Sequence, residues 1–176
     1  CSVYGGKNNS CAFVSGNSKY PITDWHSAPY DPTYFPEDSF TRIGADSSAI
    51  VGYIRQHDAQ IILKECGDDA GQYLRTSSFD GEKEQIFPIQ QGSAGIGAVS
   101  SRAMGILEDE PLFLSDTGVY ACGKTQVKQE LALQRRSRRI DRHLTAQPGL
   151  KEAAAIAFGG KFYLSVGGRC YVADSR

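Results

Sequence analysis

The sequence has little of what marks several common classes of protein. A membrane-spanning helix needs about 18 consecutive apolar residues, and the sequence has no apolar run of that length. Lysine and arginine number 19 against 20 aspartates and glutamates, so the net charge is −1 and neither sign dominates. This balance argues against general attraction to nucleic acid or to membranes. There is only one methionine beside 19 glycines and 10% aromatic residues, which favours a turn-rich β protein over a helical bundle.

Cysteines are also few, and they are widely spaced. The five are Cys1, Cys11, Cys66, Cys122 and Cys170, and no two of them are separated by two residues, so a zinc site has little support. We predict neither a metal nor a cofactor. Three of the five lie in or beside apolar segments, where a reduced cysteine packs as a small hydrophobic residue. We therefore predict free thiols, which are typical of a reducing cytosol.

A strand-like core recurs along the chain about every 50 residues, at positions 12–15, 61–64, 112–115 and 162–165. Its last apolar residues, Val14, Leu63, Leu114 and Leu164, lie 49, 51 and 50 residues apart. Such a period is typical of stacked sheets, and four strands per unit is the propeller arrangement. We predict an all-β fold: a β-propeller-like array of four-stranded antiparallel blades, with about three and a half repeats in one domain over residues 1–176.

The ends of such an array are predicted to need partners. The chain starts with Cys1, inside a repeat, so we expect it to be part of a longer protein. An open propeller exposes unpaired strand edges. We therefore expect the missing blades to lie in the parent chain, or two copies to associate and cover the edges.

Several segments are predicted more finely. The first repeat is interpreted as truncated, with strands only at residues 3–4 and 11–14. The next segment, residues 20–36, is predicted to be a loop, because four prolines exclude a central strand or helix. Residues 96–100 are predicted to form a strand. The Gly-rich residues 92–97, which overlap its start, are predicted to be the entry to an inner strand. Residues 126–139 are predicted to be helical or extended and polar.

One stretch matches a phosphate-binding motif. Residues 118–125 read Gly-Val-Tyr-Ala-Cys-Gly-Lys-Thr, a literal G-x-x-x-x-G-K-T. The repeat favours another interpretation, because Gly118 aligns with Gly168 and residues 119–122 then occupy the place of a strand. Val, Tyr and Cys also suit a strand better than a tight anion-binding loop. We predict a strand here and no nucleotide site.

Two clusters are candidate binding residues. The basic run contains Arg135, Arg136, Arg138 and Arg139, which indicates a contact to a protein neighbour or a solvated segment, with nucleic acid unlikely because no aromatic residues are interleaved. The loop at residues 20–36 contains further candidates. These are Trp25, Tyr30 and Tyr34, which form either a sugar-stacking surface or a loop packed against a sheet edge or a partner.

Together these residues resemble a family of phage proteins. The stretches that carry the resemblance include Tyr4-Gly5-Gly6, Phe13-Val14-Ser15-Gly16-Asn17, Asp31-Pro32-Thr33-Tyr34-Phe35-Pro36-Glu37, Gly95-Ile96-Gly97-Ala98-Val99-Ser100 and Cys170-Tyr171-Val172-Ala173-Asp174. They are similar to propeller-type structural proteins of the tail modules of tailed phages and prophages of Gram-positive bacteria. The resemblance covers nearly the whole chain and brings no catalytic residues with it.

The resemblance implies a non-enzymatic, tail-associated role as a platform for protein contacts. The expected partners are other phage structural proteins or a second copy of the chain. The expected location is the bacterial cytoplasm during synthesis and the virion tail after assembly. The alternative is a host-surface or glycan-binding module that uses the aromatic segment at residues 20–36.

Overall fold

The fold is built from antiparallel β-sheets. The computed structural model describes residues 1–45, 47–81, 84–124 and 131–174. Three of its sheets have four strands, one has three and one has two. Every pairing between neighbouring strands is antiparallel. The prediction of an all-β chain is confirmed.

Sheet 1 corrects two predictions about the first repeat. Its strands, in spatial order, are β1 (Ser2–Tyr4), β2 (Cys11–Val14), β3 (Thr23–His26) and β4 (Phe40–Arg42). The repeat is therefore not truncated, and residues 20–36 are not simply a loop, because β3 is an interior strand between β2 and β4. The prolines permit this because Pro21 precedes the strand and Pro29 follows it.

Sheet 2 carries an inserted hairpin. Its strands, in spatial order, are β5 (Ile50–Gln56), β6 (Ala59–Lys64), β7 (Gly71–Arg75) and β10 (Ile89–Ala94), and the hairpin between β7 and β10 consists of β8 (Ser78–Asp80) and β9 (Glu84–Ile86). The Gly-rich stretch begins in the outer strand β10 and does not enter an inner strand, so that prediction is wrong.

Residues 96–100 also differ from their prediction. They form no strand, and only Ala98 makes an isolated bridge, to Glu65. The reason is a close backbone approach: a Cβ on Gly97 would lie 2.5 Å from the carbonyl carbon and oxygen of Glu65. This crossing holds the connection against the end of β6.

Sheets 3 and 4 complete the chain. Sheet 3 contains β11 (Met104–Leu107), β12 (Glu110–Ser115), β13 (Gly118–Lys124) and β14 (Leu131–Arg135). Helix α1 (Asp141–Thr145) and a 3₁₀ turn (Leu150–Glu152) follow it in the chain. Sheet 4 contains β15 (Ala154–Phe158), β16 (Lys161–Val166) and β17 (Arg169–Asp174). Of residues 126–139, those at 131–135 take the extended alternative, α1 begins only after the segment, and 126–130 lie outside the described residues.

The predicted repeat is confirmed by strand position. The four recurring cores coincide with β2, β6, β12 and β16, and each is the second strand of its sheet. The first strands also follow one another in space, because β1 contacts β5, β5 contacts β11 and β11 contacts β15. The sheets therefore stack in chain order.

The pairing of strands in the first hairpins of sheets 3 and 4 aligns their residues one position away from the alignment that the 50-residue spacing gives. The closing pair of one hairpin is Leu107 with Glu110, and that of the next is Phe158 with Lys161. Tyr163 is therefore equivalent to Leu112, two residues beyond the closing pair in each case. A one-residue shift exchanges the two faces of a strand.

The cores between the stacked sheets differ in chemistry. Between sheets 2 and 3 the contact is apolar, with Ile61 and Leu63 packed near Phe113. Between sheets 3 and 4, Leu112 and Leu114 belong to the same cluster as Phe162 and Leu164. The contact between sheets 1 and 2 instead contains a buried ion pair between Arg75 and Asp24.

Candidate functional site

The basic segment at residues 135–139, which begins at the end of β14, is held in a defined position by one serine. The Ser137 Oγ accepts a hydrogen bond from the Val119 amide, 2.7 Å away, and donates one to the Asp141 carboxylate. Beside it the Arg136 amide donates to the Val119 carbonyl at 2.8 Å, which extends the pairing with β13. The chain therefore leaves sheet 3 and turns into α1 at a fixed angle.

Two of the four arginines in this segment are paired. The Arg135 Nε lies 2.7 Å from the Asp141 Oδ2, and the Arg135 guanidinium also donates to the Thr117 carbonyl. The Arg136 guanidinium contacts both carboxylate oxygens of Glu110, with an Nε–Oε2 distance of 3.0 Å. The positive charges of Arg135 and Arg136 are therefore largely neutralised by these carboxylates.

The other two arginines have no partner in the described part of the chain. Arg138 and Arg139 are exposed, and neither has a hydrogen bond or an ion pair with any residue that the structure describes. Two positive charges are therefore left on one short surface segment. Such charges attract anionic groups at close range.

The four arginines surround a cavity of about 380 Å³ between sheets 3 and 4. Its floor is apolar and comes from four elements of the fold, β12, β13, α1 and β16. The floor residues are Leu112, Val119, Leu144, Phe162 and Leu164, all of them buried. Tyr171, Val172 and Ala173 of β17 form the opposite wall. An apolar floor with a basic rim suits a ligand that is itself part apolar and part acidic.

Sequence reasoning identified the rim of this cavity and missed its floor. The apolar residues of the floor lie up to 52 residues apart in sequence, from Leu112 to Leu164. Only one local signal existed: Leu144 is the buried residue of α1, directly after the arginines. An apolar residue in a short, otherwise polar helix indicates a face turned toward the core.

The aromatic candidates do not join the arginines. Trp25 lies in β3 of sheet 1, with its ring 6.2 Å from that of Tyr20 in an edge-on contact. Tyr30 and Tyr34 are 73% and 59% exposed in the connection between β3 and β4. The three belong to sheet 1, whereas the arginine-rimmed cavity lies between sheets 3 and 4.

The phosphate-loop interpretation conflicts with the observed backbone. Gly118–Lys124 is β13, which pairs with β12 on one side and with β14 on the other. Amides within these ladders are not arranged around an anion, so the predicted strand is confirmed. Thr125 of the motif lies outside the described residues.

The remaining reactive groups are placed separately. Burial raises the pKa of the Cys122 thiol to about 12 and also raises the pKa of Cys11. Burial likewise raises the pKa of the Tyr4 hydroxyl to about 12. All five cysteines are free. Within the described residues, no three His, Cys, Asp or Glu side chains group so as to hold a metal ion.

Comparison with known proteins adds no relative. No protein-family model matches this chain, and a search of curated proteins finds no significant match. Among the described residues, none of the helices combines the length and the apolar character needed to cross a membrane.

Proposed function

We propose that this chain is a non-enzymatic structural protein whose four stacked sheets are consecutive blades of a β-propeller, and that it acts as a platform for protein–protein contacts. We further propose a place in the tail of a phage or prophage. The tail assignment is supported by the resemblance described in the sequence analysis. The platform role is supported by the two outermost sheet faces of the stack.

The outer face of sheet 4 is apolar and exposed. Ile156, Tyr163 and Val172 form one cross-strand row, and Phe158 extends the patch along β15. Ile156 is 63% exposed, Phe158 75% and Val172 54%. Large apolar side chains clustered on one exposed face indicate an interaction surface.

The outer face of sheet 1, at the other end of the stack, is also apolar. Val14, Trp25 and Phe40 form a cross-strand row, and Val3 lies on the same face. Val3 is 60% exposed and Phe40 50%. Their neighbours on the opposite face, such as Phe13, are buried against sheet 2.

The observation that carries the proposal is that these two faces are the two halves of one repeated contact. Tyr163 is equivalent by register to Leu112, which packs sheet 3 against sheet 4. The outer face of sheet 4 is therefore the kind of face that receives the next sheet. The outer face of sheet 1 is the kind that packs on a preceding sheet. A second copy placed head to tail supplies the missing half.

Self-association tests this proposal. We expect the chain to have a mass above its 19.1 kDa monomer in light scattering across a concentration series. Ile156→Glu and Val3→Glu should each shift it toward monomer, because a carboxylate is buried unpaired in the contact. Phe79→Glu is the matched control, since Phe79 is 46% exposed on the inserted hairpin and outside both faces.

A mixture of two variants distinguishes the head-to-tail geometry. Ile156→Glu keeps an intact sheet 1 face and Val3→Glu keeps an intact sheet 4 face, so mixing the two should restore a dimer through one undamaged contact. A wild-type chain that stays monomeric at every concentration would contradict the head-to-tail contact. Mass spectrometry of purified phage particles tests the proposed tail location. That proposal is wrong if the chain never copurifies with the particles.

A second candidate function is glycan binding, and one observation favours it. A cavity of about 220 Å³ beside β1 and β2 is lined by Tyr30, Asp31 and Pro32. Exposed aromatic rings with a neighbouring acid are typical of sugar contacts. On a glycan array, Tyr30→Ala should abolish any specific signal while Phe79→Ala leaves it unchanged. An array with no signal for the wild-type chain contradicts this function.

A further inference from the structure

Among the residues that the structure describes, sheet 4 lacks the fourth strand that each of the other three large sheets has. In sheets 1, 2 and 3 the third strand bonds to a fourth, namely β4, β10 or β14. In sheet 4 the third strand is β17, and within the described part of the chain no strand pairs with its outer side. The edge of a sheet presents backbone amides and carbonyls that an extended peptide can pair with.

The open edge adjoins the arginine-rimmed cavity. Tyr171, Val172 and Ala173 of β17 line the cavity wall, and Phe162 and Leu164 of the neighbouring strand belong to its floor. A peptide added beside β17 would lie about 4.8 Å from it and would continue sheet 4 along this wall. Every second side chain of such a peptide would point into the cavity.

The charge at the rim favours acidic groups at one end of such a peptide. Arg135 and Arg136 are occupied by Asp141 and Glu110, whereas Arg138 and Arg139 have no partner among the described residues. Two adjacent guanidinium groups beside an apolar floor favour a ligand whose acidic groups lie at one end of an apolar stretch. Carboxylates match the planar donor fork of arginine.

We propose that β17 and the adjoining cavity bind an extended segment of a partner protein, with alternating apolar residues and acidic residues at one end of them. The segment adds a fourth strand to sheet 4. Its apolar side chains enter the cavity, and the acidic side chains at that end contact Arg138 and Arg139. This inference rests on the proposed role as an interaction platform and names the class of partner. The peptide would use the edge of β17 and the side of sheet 4 that faces sheet 3, whereas the head-to-tail contact would use the outer face of sheet 4, and of the described residues only Val172 adjoins both.

Three synthetic peptides test this binding mode. The probe is fluorescein-labelled EEVTVTVEE, in which valines alternate and glutamates flank them. The first control, KKVTVTVKK, reverses the charge, and the second, EEGTGTGEE, removes the apolar side chains. In fluorescence anisotropy we expect EEVTVTVEE to bind at least about tenfold more tightly than either control, because both charge and apolar contact contribute. Equal affinity for all three would overturn the proposal.

Variants of the chain test the site itself. The double variant Arg138→Glu and Arg139→Glu should weaken EEVTVTVEE by about tenfold or more and improve the relative affinity of KKVTVTVKK. Arg55→Glu is the matched control, because Arg55 is an exposed arginine of β5 in sheet 2 and should change affinity less than about twofold. Ala173→Phe fills the cavity from an exposed position and should also reduce binding. Unchanged binding in both cavity variants would overturn the proposal.

Backbone hydrogen exchange reports on strand addition directly. The amides of residues 169–173 that point away from β16 should exchange more slowly when EEVTVTVEE is bound, because the edge of β17 gains hydrogen bonds. Binding without protection of β17 would contradict a fourth strand. A single-stranded oligothymidylate that competes as strongly as the peptide would also contradict the proposal, since the site would then recognise negative charge alone.

The two proposals can fail separately. Peptide binding is measured on the wild-type chain and on Ile156→Glu, and self-association is measured by light scattering on both. If the peptide does not bind while the chain still self-associates, only the strand-docking inference is wrong. If the peptide binds a monomeric wild-type chain, only the head-to-tail contact is wrong.

Discussion

Arg75 and Asp24 form a bidentate ion pair that joins sheet 2 to sheet 1. The Nη1–Oδ2 and Nη2–Oδ1 distances are both 2.8 Å, and the two side chains are 0% and 1% exposed. Gln60 accepts a further hydrogen bond from Nη1 at 2.9 Å, and the guanidinium carbon lies 4.3 Å from the centroid of the Phe13 ring. Sheets 1 and 2 are therefore held in register by directional bonds as well as by packing.

Removing one partner of this pair should be costly. We expect Asp24→Ala to reduce the free energy of unfolding by about 3–5 kcal/mol, because it leaves the Arg75 charge buried without a counter-charge. Urea unfolding followed by the fluorescence of Trp25, the only tryptophan, measures this. Lys7→Ala is the control: it breaks an exposed pair with Asp58, 3.3 Å apart, and should cost less than about 1 kcal/mol. Similar losses in the two variants would show that the buried pair has no special weight.

The cysteines should differ sharply in reactivity. At pH 8, iodoacetamide should modify the exposed Cys1 and Cys170 and spare Cys122 and Cys11 in the folded chain. The thiolate is the reactive form, and burial raises the pKa of Cys122 to about 12, so at this pH its thiol stays protonated as well as inaccessible. Mass spectrometry of tryptic peptides gives the modified fraction at each site. In urea all five should react, and rapid labelling of Cys122 without urea would contradict its buried position.

The stability of the chain should fall in acid partly through Asp69. The hydrogen bond from the buried Lys64 ammonium lowers the pKa of the Asp69 carboxyl below its usual value. A depressed folded-state pKa contributes stability above the unfolded pKa of about 3.9, and this is lost as the pH falls through the folded value. Asp69→Asn should therefore be less stable than wild type at pH 6, and the difference should shrink toward pH 2.

Urea unfolding of both chains from pH 6 to pH 2 measures that difference. Asp80→Asn is a suitable control, because Asp80 is exposed at the end of β8. A gap between wild type and Asp69→Asn that stays constant with pH would contradict the role of the ion pair.

The close crossing at Gly97 should not tolerate a side chain. A Cβ there would lie 2.5 Å from the Glu65 carbonyl and 2.6 Å from the Cys66 amide nitrogen, so we expect Gly97→Ala to destabilise the chain by about 1–3 kcal/mol. Gly123→Ala is the matched control, since among the described residues its Cβ would meet only the Ala132 carbonyl oxygen, at 3.8 Å. Thermal unfolding compares the two, and equal melting temperatures would show that the crossing can relax.

Much of the strand pattern could be predicted from sequence. The cores of β6, β12 and β16 were recognisable because apolar residues recur there with a regular period and are bounded by turn residues. β3 was missed because prolines at positions 21, 29, 32 and 36 dominate that segment by composition, although none of them falls within the strand. The inserted hairpin β8–β9 was missed because its strands have only three residues each.

The candidate site divides in the same way. The arginines at its rim could be predicted, because they form a continuous basic run in the sequence. Which of them are paired was not visible, because Glu110 lies 26 residues before Arg136 and approaches it only through the fold. The cavity floor depends likewise on Leu112 and Phe162, which meet because sheets 3 and 4 stack.

The sequence by itself determined the all-β class, the repeat and the position of the second strand in each sheet, because these follow from local hydrophobic patterning and turn chemistry. Only the tertiary structure decided which face of each strand is buried. Leu164 shows this: its spacing aligns it with Leu114, yet hairpin register makes it equivalent to Phe113, so it faces sheet 3 and leaves Tyr163 on the outer face. The period of a strand is two residues, so a one-residue difference in register, set by the turn, decides what the outer face of sheet 4 presents to a partner.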